Sequence, residues 1–264
     1  MPSSYASICL ERDRGIATLT LDRPEHANAL HLDMARELMQ AAIEIDEDES
    51  VRAVLLTANG KMFCAGGDLA AMQEAGDGAS AYLKEMAGYL HLAISRFARM
   101  RAPVIAAVNG TAAGAGFSMV CATDLALAAE SAKFTMAYTH AGLTPDGSST
   151  YFLPRIVGQR RALELMLTNR VLNSADALEW GIVNQVVADE ELMTTAEKLA
   201  VHLVEGPTGA FGVVKQLVVN SAIDGLESQM EHETHGIAAA ARTDDGREGI
   251  AAFLEKRNPK FSGR

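Results

Sequence analysis

Two glycine-bearing stretches hold the residues best suited to chemistry: FCAGGDL, from Phe63 to Leu69, and NGTAAGAGFSM, from Asn109 to Met119. Each follows a run that reads as a buried strand, and each leads towards a helix. Backbone N–H groups at a helix start lack an intrahelical acceptor and sit at the positive end of the helix dipole. Glycine and alanine at such positions let a substrate oxygen come close to the backbone. Two loops of this kind side by side could aim two N–H donors at one oxygen, which is an oxyanion hole. Either loop taken alone reads more simply as a tight turn where a helix packs on a strand.

Other site chemistries fit less well. Gly114-Ala115-Gly116 continues with Phe117, Ser118 and Met119, so a dinucleotide-type glycine fingerprint fails at its third glycine. Gly60-Lys61 has Leu55 where a phosphate-binding loop needs glycine, and Ser118 is followed two residues on by Val120 rather than the glycine of a nucleophile elbow. His232 and His235 have helical spacing but no third ligand near them in sequence, so no metal is expected. Cys9, Cys64 and Cys121 lie far apart with no CxxC pattern, which fits a reducing compartment.

The elements that must position these loops follow from periodicity and punctuation. Ser7 to Asp13 and Ile16 to Leu21 are β-type runs joined at Arg14-Gly15, a predicted hairpin. Met34, Leu38, Ala42 and Ile45 recur at helical spacing and predict a helix from about His31 to Asp46. Val51 to Thr57 reads as a buried strand, Ala79 to Met100 as a helix after the Gly76-Asp77-Gly78 break, and PVIAAV as a strand ending at Asn109-Gly110. A small-residue helix then leads to a strand at Asp124 to Ala128. From Gly158 the pattern turns helical, with Ser174 as a predicted N-cap and Gly181 as a stop, and Val183 to Val187 is the last plausible strand. After Asp189 only helices are expected, broken at Gly206-Pro207, near Asp224-Gly225 and near Asp244 to Gly246. The alternation implies an α/β fold with a core over about 1–200 and a helical region over 201–264.

Composition bounds the function. The chain has 264 residues, 48% hydrophobic and 22% charged, values that suit a globular protein. A formal net charge of −11 argues against a nucleic-acid binder, since phosphate contacts need a basic face. The N-terminal MPSSYASICLERDRG has no secretory apolar run, and Thr111 to Ala129, though apolar, contains Asp124. A soluble, cytoplasmic protein is the expectation.

Taken together, the two loops resemble those of the crotonase (enoyl-CoA hydratase/isomerase) family. FCAGGDL and VNGTAAGAGFSMVCATD match the family's two oxyanion-hole elements, and the resemblance extends from RPEHANAL at Arg23 to EGIAAFLEKRNPKF near the C-terminus. It implies a crotonase-like spiral of ββα units, with a C-terminal helical region serving trimerisation. It also implies a homotrimer or dimer of trimers, and an acyl-CoA thioester substrate handled without a metal or redox cofactor, coenzyme A being part of the substrate. The donor N–H groups fall on Gly67 and Ala115. Arg23, His26, Ala27, Ala65, Asp68, Leu69, Phe253 and Lys256 fall at family positions that contact substrate or coenzyme A, the last two reaching a neighbouring subunit's ligand. Asp68 reads as a helix cap or loop hydrogen-bonder rather than a catalyst, and Cys64 as a packing residue rather than a nucleophile.

The hydratases of this family carry two glutamates that position water; here those positions hold Ser118 and Tyr138. Neither hydroxyl is a general base near neutral pH without strong activation, so efficient hydration is not expected. The segment GLTPDGSSTYFLPR places Asp146 where isomerase branches, including the phenylacetate-pathway isomerase and the β,γ-to-α,β enoyl-CoA isomerases, carry a base. A Pro-Asp-Gly sequence is also a common turn. The expected activity is enoyl-CoA isomerisation in fatty-acid or aromatic breakdown. The alternatives are a hydratase with atypical residues and a non-catalytic binding member of the family.

Overall fold

The computed structural model describes residues 5–264; Met1 to Ser4, part of the N-terminal stretch read above, lie outside it. The hairpin forms as expected. Strands β1 (Ile8–Asp13) and β2 (Ile16–Leu21) pair antiparallel, with Asp13 opposite Ile16. Arg14 (φ 45°) and Gly15 (φ 82°) make the turn in left-handed backbone, which suits a two-residue hairpin loop. Alternation along β2 sends Ala17, Leu19 and Leu21 into the core. Helix α1 (Leu32–Glu47) buries the predicted stripe of Met34, Leu38, Ala42 and Ile45. It begins one residue later than expected, because His31 is extended and serves as the N-cap position.

The chain continues through β3 (Ala53–Ala58), β4 (Met62–Cys64), α2 (Leu69–Glu74) and α3 (Ala79–Arg99). Then come β5 (Val104–Val108), β6 (Thr111–Ala113), α4 (Ala115–Cys121), β7 (Leu125–Ala129) and β8 (Lys133–Thr135). After α5 (Ser149–Val157) and α6 (Gln159–Thr168) follow β9 (Leu172–Asn173), α7 (Ser174–Glu179) and β10 (Gln185–Val187). Helices α8 (Leu192–Val204), α9 (Thr208–Asn220), α10 (Leu226–Ala240) and α11 (Asp244–Glu255) complete the chain.

The strands form two sheets, ordered β1-β2-β3-β5-β7-β10 and β4-β6-β8-β9. Beyond the antiparallel β1–β2 hairpin, the larger sheet is parallel, and its central β3 and β5 are buried at every residue. This explains why those strands read as unbroken apolar runs rather than alternating ones.

The smaller sheet is absent from the sequence reading. Its strands are two or three residues long, too short for a period to register. Thr111 to Ala113, expected to enter a helix directly from the Asn109-Gly110 turn, instead forms β6 between β4 and β8. Other boundaries shift for local reasons. Asn173, not Ser174, caps α7, its side chain accepting from Asp176 N–H at 2.7 Å, while the Ser174 hydroxyl donates to the Glu130 carbonyl. Helix already starts at Ser149, before Gly158. Asp244 to Gly246 open α11 rather than break it, since Thr243 Oγ1 accepts from Gly246 N–H at 2.9 Å. Gly246 is there because a Cβ would collide with the Ala240 carbonyl.

No helix among the described residues is long and apolar enough to cross a membrane. Helix α8 lies across β3, β5 and β7. Helix α9 is tied to the core through Lys215, whose Nζ donates to the carbonyls of Phe97 and Ala102 and meets Asp124 at 2.7 Å. Helix α10 buries no residue in this chain.

Candidate active site

The first loop leaves β4 and meets the segment before α1. Leu30 N–H donates to the Gly66 carbonyl at 2.7 Å, and Asp68 N–H donates to the Leu30 carbonyl at 2.8 Å, forming a single parallel bridge. In a trans peptide, C=O and N–H point opposite ways. With the Gly66 carbonyl turned to Leu30, the Gly67 N–H is turned away from it, and Gly67 lines a cavity. A Cβ at Gly67 would collide with the Met72 side chain. Asp68 caps α2, its carboxylate accepting from Ala71 N–H at 3.2 Å. Cys64 is buried and burial pushes its thiol up to about 11, consistent with packing rather than nucleophilic use.

The second loop repeats the logic. Gly114 N–H bonds the Thr135 carbonyl at 3.0 Å, and the Gly114 carbonyl accepts from Ser118 N–H at 3.0 Å and from Ser118 Oγ at 3.2 Å. The same peptide's N–H, on Ala115, is therefore turned the other way. Ala115 is the first residue of α4 and lines the same cavity as Gly67. Neither the Gly67 nor the Ala115 N–H has an acceptor among the described residues. Both donors stand ready for an oxygen in the cavity.

Asp146 lies in the loop before α5 and is the one carboxylate among the residues lining that cavity. Its backbone carbonyl is held by the Ser149 N–H at 3.2 Å and the Ser149 hydroxyl at 2.9 Å. Carboxylate Oδ1 accepts from the Tyr138 phenol at 2.6 Å, and the Tyr138 oxygen lies 3.0 Å from Ser118 Oγ. Burial, with the adjacent Asp146 charge, pushes the Tyr138 phenol well above its usual range, so it stays protonated and donates. Oδ2 lies 4.0 Å from His91 Nε2. That nitrogen accepts the Gly147 N–H at 3.2 Å, which assigns the neutral ring's proton to Nδ1. Ser118 and Tyr138 thus form a hydrogen-bonded chain that ends on Asp146.

The cavity measures about 320 Å³, and most of its wall is apolar, from Leu30, Leu69, Met72, Leu83, Met86 and Leu143. Sequence reasoning missed His91 and Lys84, the latter exposed at this lining; both lie on α3, and no motif marks either. The remaining sequence-derived positions fall in different places. Ala27 and Ala65 are joined by an Ala65 N–H to Ala27 carbonyl bond of 3.0 Å, which docks the RPEHANAL segment on the first loop. Arg23 is turned inward: its guanidinium donates to the Ala29 carbonyl at 2.7 Å, meets His31 Nδ1 at 3.1 Å and lies 3.5 Å from Asp68. Burial, with the neighbouring Arg23 charge, lowers the His31 pKa, keeping the ring a neutral acceptor for that guanidinium. His26 is exposed beside Glu25. Phe253, 83% exposed, and Lys256 lie at the end of α11, outside this cavity's lining. No cluster of metal-ligating side chains occurs among the described residues, His232 and His235 included.

Comparison with known proteins places the fold and the sequence. Residues 11–264 match the family described as enoyl-CoA hydratase/isomerase. The chain is 40% identical to the 1,2-epoxyphenylacetyl-CoA isomerase of Escherichia coli K12, covering 96% of this chain and 97% of that protein. It is 33% identical to the trans-2-decenoyl-(acyl-carrier-protein) isomerase of Streptococcus mutans, covering 98% and 99%. Among solved structures, the enoyl-CoA hydratase of Polaromonas sp. JS666 superposes with a TM-score of 0.92 at 32% identity, covering 97% of this chain and all of that one. Fold and sequence agree: the chain belongs to the crotonase, or enoyl-CoA hydratase/isomerase, family.

Proposed function

We propose that the protein is an enoyl-CoA isomerase that moves a double bond through a thioester enolate. The observation that carries this is that Asp146 is the one carboxylate lining the cavity, hydrogen-bonded to Tyr138 and through it to Ser118, the two positions where the resemblance places the hydratases' glutamates. Moving a double bond needs one base used twice. Asp146 removes the α-proton of a β,γ-enoyl thioester, and the electron pair delocalises onto the thioester oxygen. Gly67 and Ala115 N–H donate to that oxygen. Asp146 then returns the proton at the γ-carbon, the α,β double bond forms, and the carboxylate is regenerated. The balance is redox-neutral and consumes no water, so no redox cofactor or metal is required; coenzyme A enters as part of the substrate.

The apolar wall favours a hydrocarbon or aromatic acyl group. The name of the Escherichia coli relative supports a place in phenylacetate or other aromatic breakdown, and that of the Streptococcus relative supports work on unbranched chains. Exposed apolar residues on the last three helices, among them Val218, Ile237, Ile250 and Leu254, support assembly as a trimer or paired trimers.

The test is isomerisation of a 3-enoyl-CoA by wild type and Asp146→Asn, with acyl-CoA affinity measured in parallel. Loss of a general base reduces turnover about a hundred- to ten-thousandfold. Expected is that collapse with affinity retained; turnover within threefold of wild type would overturn the assignment.

A further inference from the structure

The reading of Asp146 as the base leaves unexplained why the hydroxyls of buried Ser118 and half-buried Tyr138 stand where they do. Ser118 is fully buried, and Gly147, the residue after Asp146, packs against it so closely that a Cβ there would come within 2.9 Å of Ser118 Cβ. Tyr138 approaches from the 3₁₀ turn at Tyr138–Ala141. The hydrogen-bond roles are set by what each group can do. A carboxylate only accepts, so the Tyr138 proton goes to Asp146 Oδ1 at 2.6 Å. Ser118 therefore supplies the proton on its side, shared between the Tyr138 oxygen at 3.0 Å and the Gly114 carbonyl at 3.2 Å. That carbonyl belongs to the peptide whose N–H is the Ala115 donor.

We propose that Ser118 and Tyr138 are positioning residues that bridge the oxyanion-donor peptide to the Asp146 carboxylate, occupying Oδ1 and leaving Oδ2 as the proton-transferring oxygen. This deepens the isomerase reading and rests on Asp146 being its base. The bridge ties the two halves of the reaction to one rigid unit. The donor peptide is held by Ser118 through its carbonyl, and the base is held by Tyr138 through one oxygen. A carboxylate pinned this way keeps one lone pair facing both α- and γ-carbons, where a freely rotating one would present either oxygen at random. Orientation of this kind is worth much in rate because a small misplacement of a reacting group slows transfer severely.

The titratable and charged groups facing Asp146 are Tyr138 and, on α3, His91; Lys84 and Arg99 line the cavities that Asp146 borders. Tyr138→Phe keeps the ring and removes one donor to the charged carboxylate. Two effects follow together: kcat at its pH plateau falls about ten- to a hundredfold with KM changed little, and the acid limb of the kcat profile moves to higher pH, because the charged carboxylate loses a hydrogen-bond donor. A residue that merely filled space would not move that limb. Ser118→Ala should act in the same direction but more weakly, since Ser118 N–H still holds the Gly114 carbonyl. The losses in the double variant should be less than multiplicative.

The experiment is the kcat and KM pH profile of wild type, Tyr138→Phe, Ser118→Ala, His91→Gln and Asp146→Asn with a 3-enoyl-CoA, each variant first checked by thermal melt. If Tyr138→Phe melts before assay, the Ser118→Ala profile decides alone. An unmoved acid limb in the folded variants, or a limb that vanishes in His91→Gln, overturns the bridge. Asp146→Asn separates the two readings. Retained turnover there removes the base assignment, whereas its collapse alongside an unchanged Tyr138→Phe removes only the bridge.

Discussion

Gly66 and Gly114 meet backbone to backbone: a Cβ built on Gly114 would lie 3.4 Å from Gly66 Cα, and one on Gly66 would lie 3.2 Å from the Ala113 carbonyl oxygen. Each glycine immediately precedes a free backbone donor, Gly67 or Ala115, so this contact brings together the two donors of the proposed oxyanion hole. Gly114 has φ 49° and ψ −121°, and Gly66 has φ 97°, conformations that L side chains rarely adopt. Gly114→Ala should destabilise the protein by about 1–3 kcal/mol through backbone strain. It should also reduce isomerisation by about a hundredfold as the Ala115 donor swings away. Urea melts and rates on the same preparation check this; a variant with lowered stability but full activity would show that the loops need not touch.

Hydration should be poor. Crotonyl-CoA should lose its absorbance at least about a hundredfold more slowly than a 3-enoyl-CoA is isomerised, since the phenol and hydroxyl at positions 138 and 118 are not bases near neutral pH. Restoring glutamate at both positions should fail to build a hydratase. Ser118 is fully buried against Gly147, so a glutamate there would be forced into a packed, largely apolar site. Fast hydration by the unmodified protein would show that the water-activating group has been misassigned.

Binding should depend on the nucleotide half of coenzyme A and weaken with salt, because an acidic chain must draw the phosphates to a few cations. Lys84, exposed at the cavity lining, is a candidate for one of them. Lys84→Ala should lower affinity for acetyl-CoA several-fold and flatten its salt dependence, while leaving a truncated acyl thioester unaffected. Arg23→Ala should instead lower stability, since its guanidinium is already committed to Ala29, His31 and Asp68. Calorimetry with both ligands at two salt concentrations decides; equal affinity for the two would sink the expectation.

Lys215 and Asp124 tie α9 to β5 and β7, and both are strongly desolvated. Burial raises the Asp124 pKa and lowers that of Lys215, outweighing their mutual attraction, so each charge is held at a cost. Removing one partner leaves the other buried without its ion-pair partner, so Lys215→Ala should cost about 3–5 kcal/mol. The double variant Asp124→Asn with Lys215→Met should cost clearly less than either single change. Thermal melts of the three proteins check this, and equal losses for all three would contradict it.

Much of the fold follows from local chemistry. Apolar runs at β3 and β5 announced strands buried on both faces, the spacing of Met34, Leu38, Ala42 and Ile45 announced the buried stripe of α1, and Arg14-Gly15 announced the hairpin. These signals are legible because a period or a left-handed turn constrains residue type over a few neighbouring positions. The glycine loops were legible too, since only small residues let backbone meet backbone, and their pairing identified the family. The second sheet was not, because strands of two or three residues carry no period.

The site itself divides along the same line. Residue identity alone established that no glutamate stands at 118 or 138 and that a carboxylate stands at 146. Folding alone decided that Tyr138 meets that carboxylate and Ser118 meets Tyr138, that His91 reaches the carboxylate's other side from α3, and that Arg23 turns inward rather than out. Side-chain type is a property of one position, whereas a hydrogen bond between residues 20 positions apart depends on where the intervening chain returns. Here, Thr135, at the end of β8 and just before Tyr138, accepts the Gly114 N–H, so the same pairing that shapes the second glycine loop also delivers the phenol to Ser118.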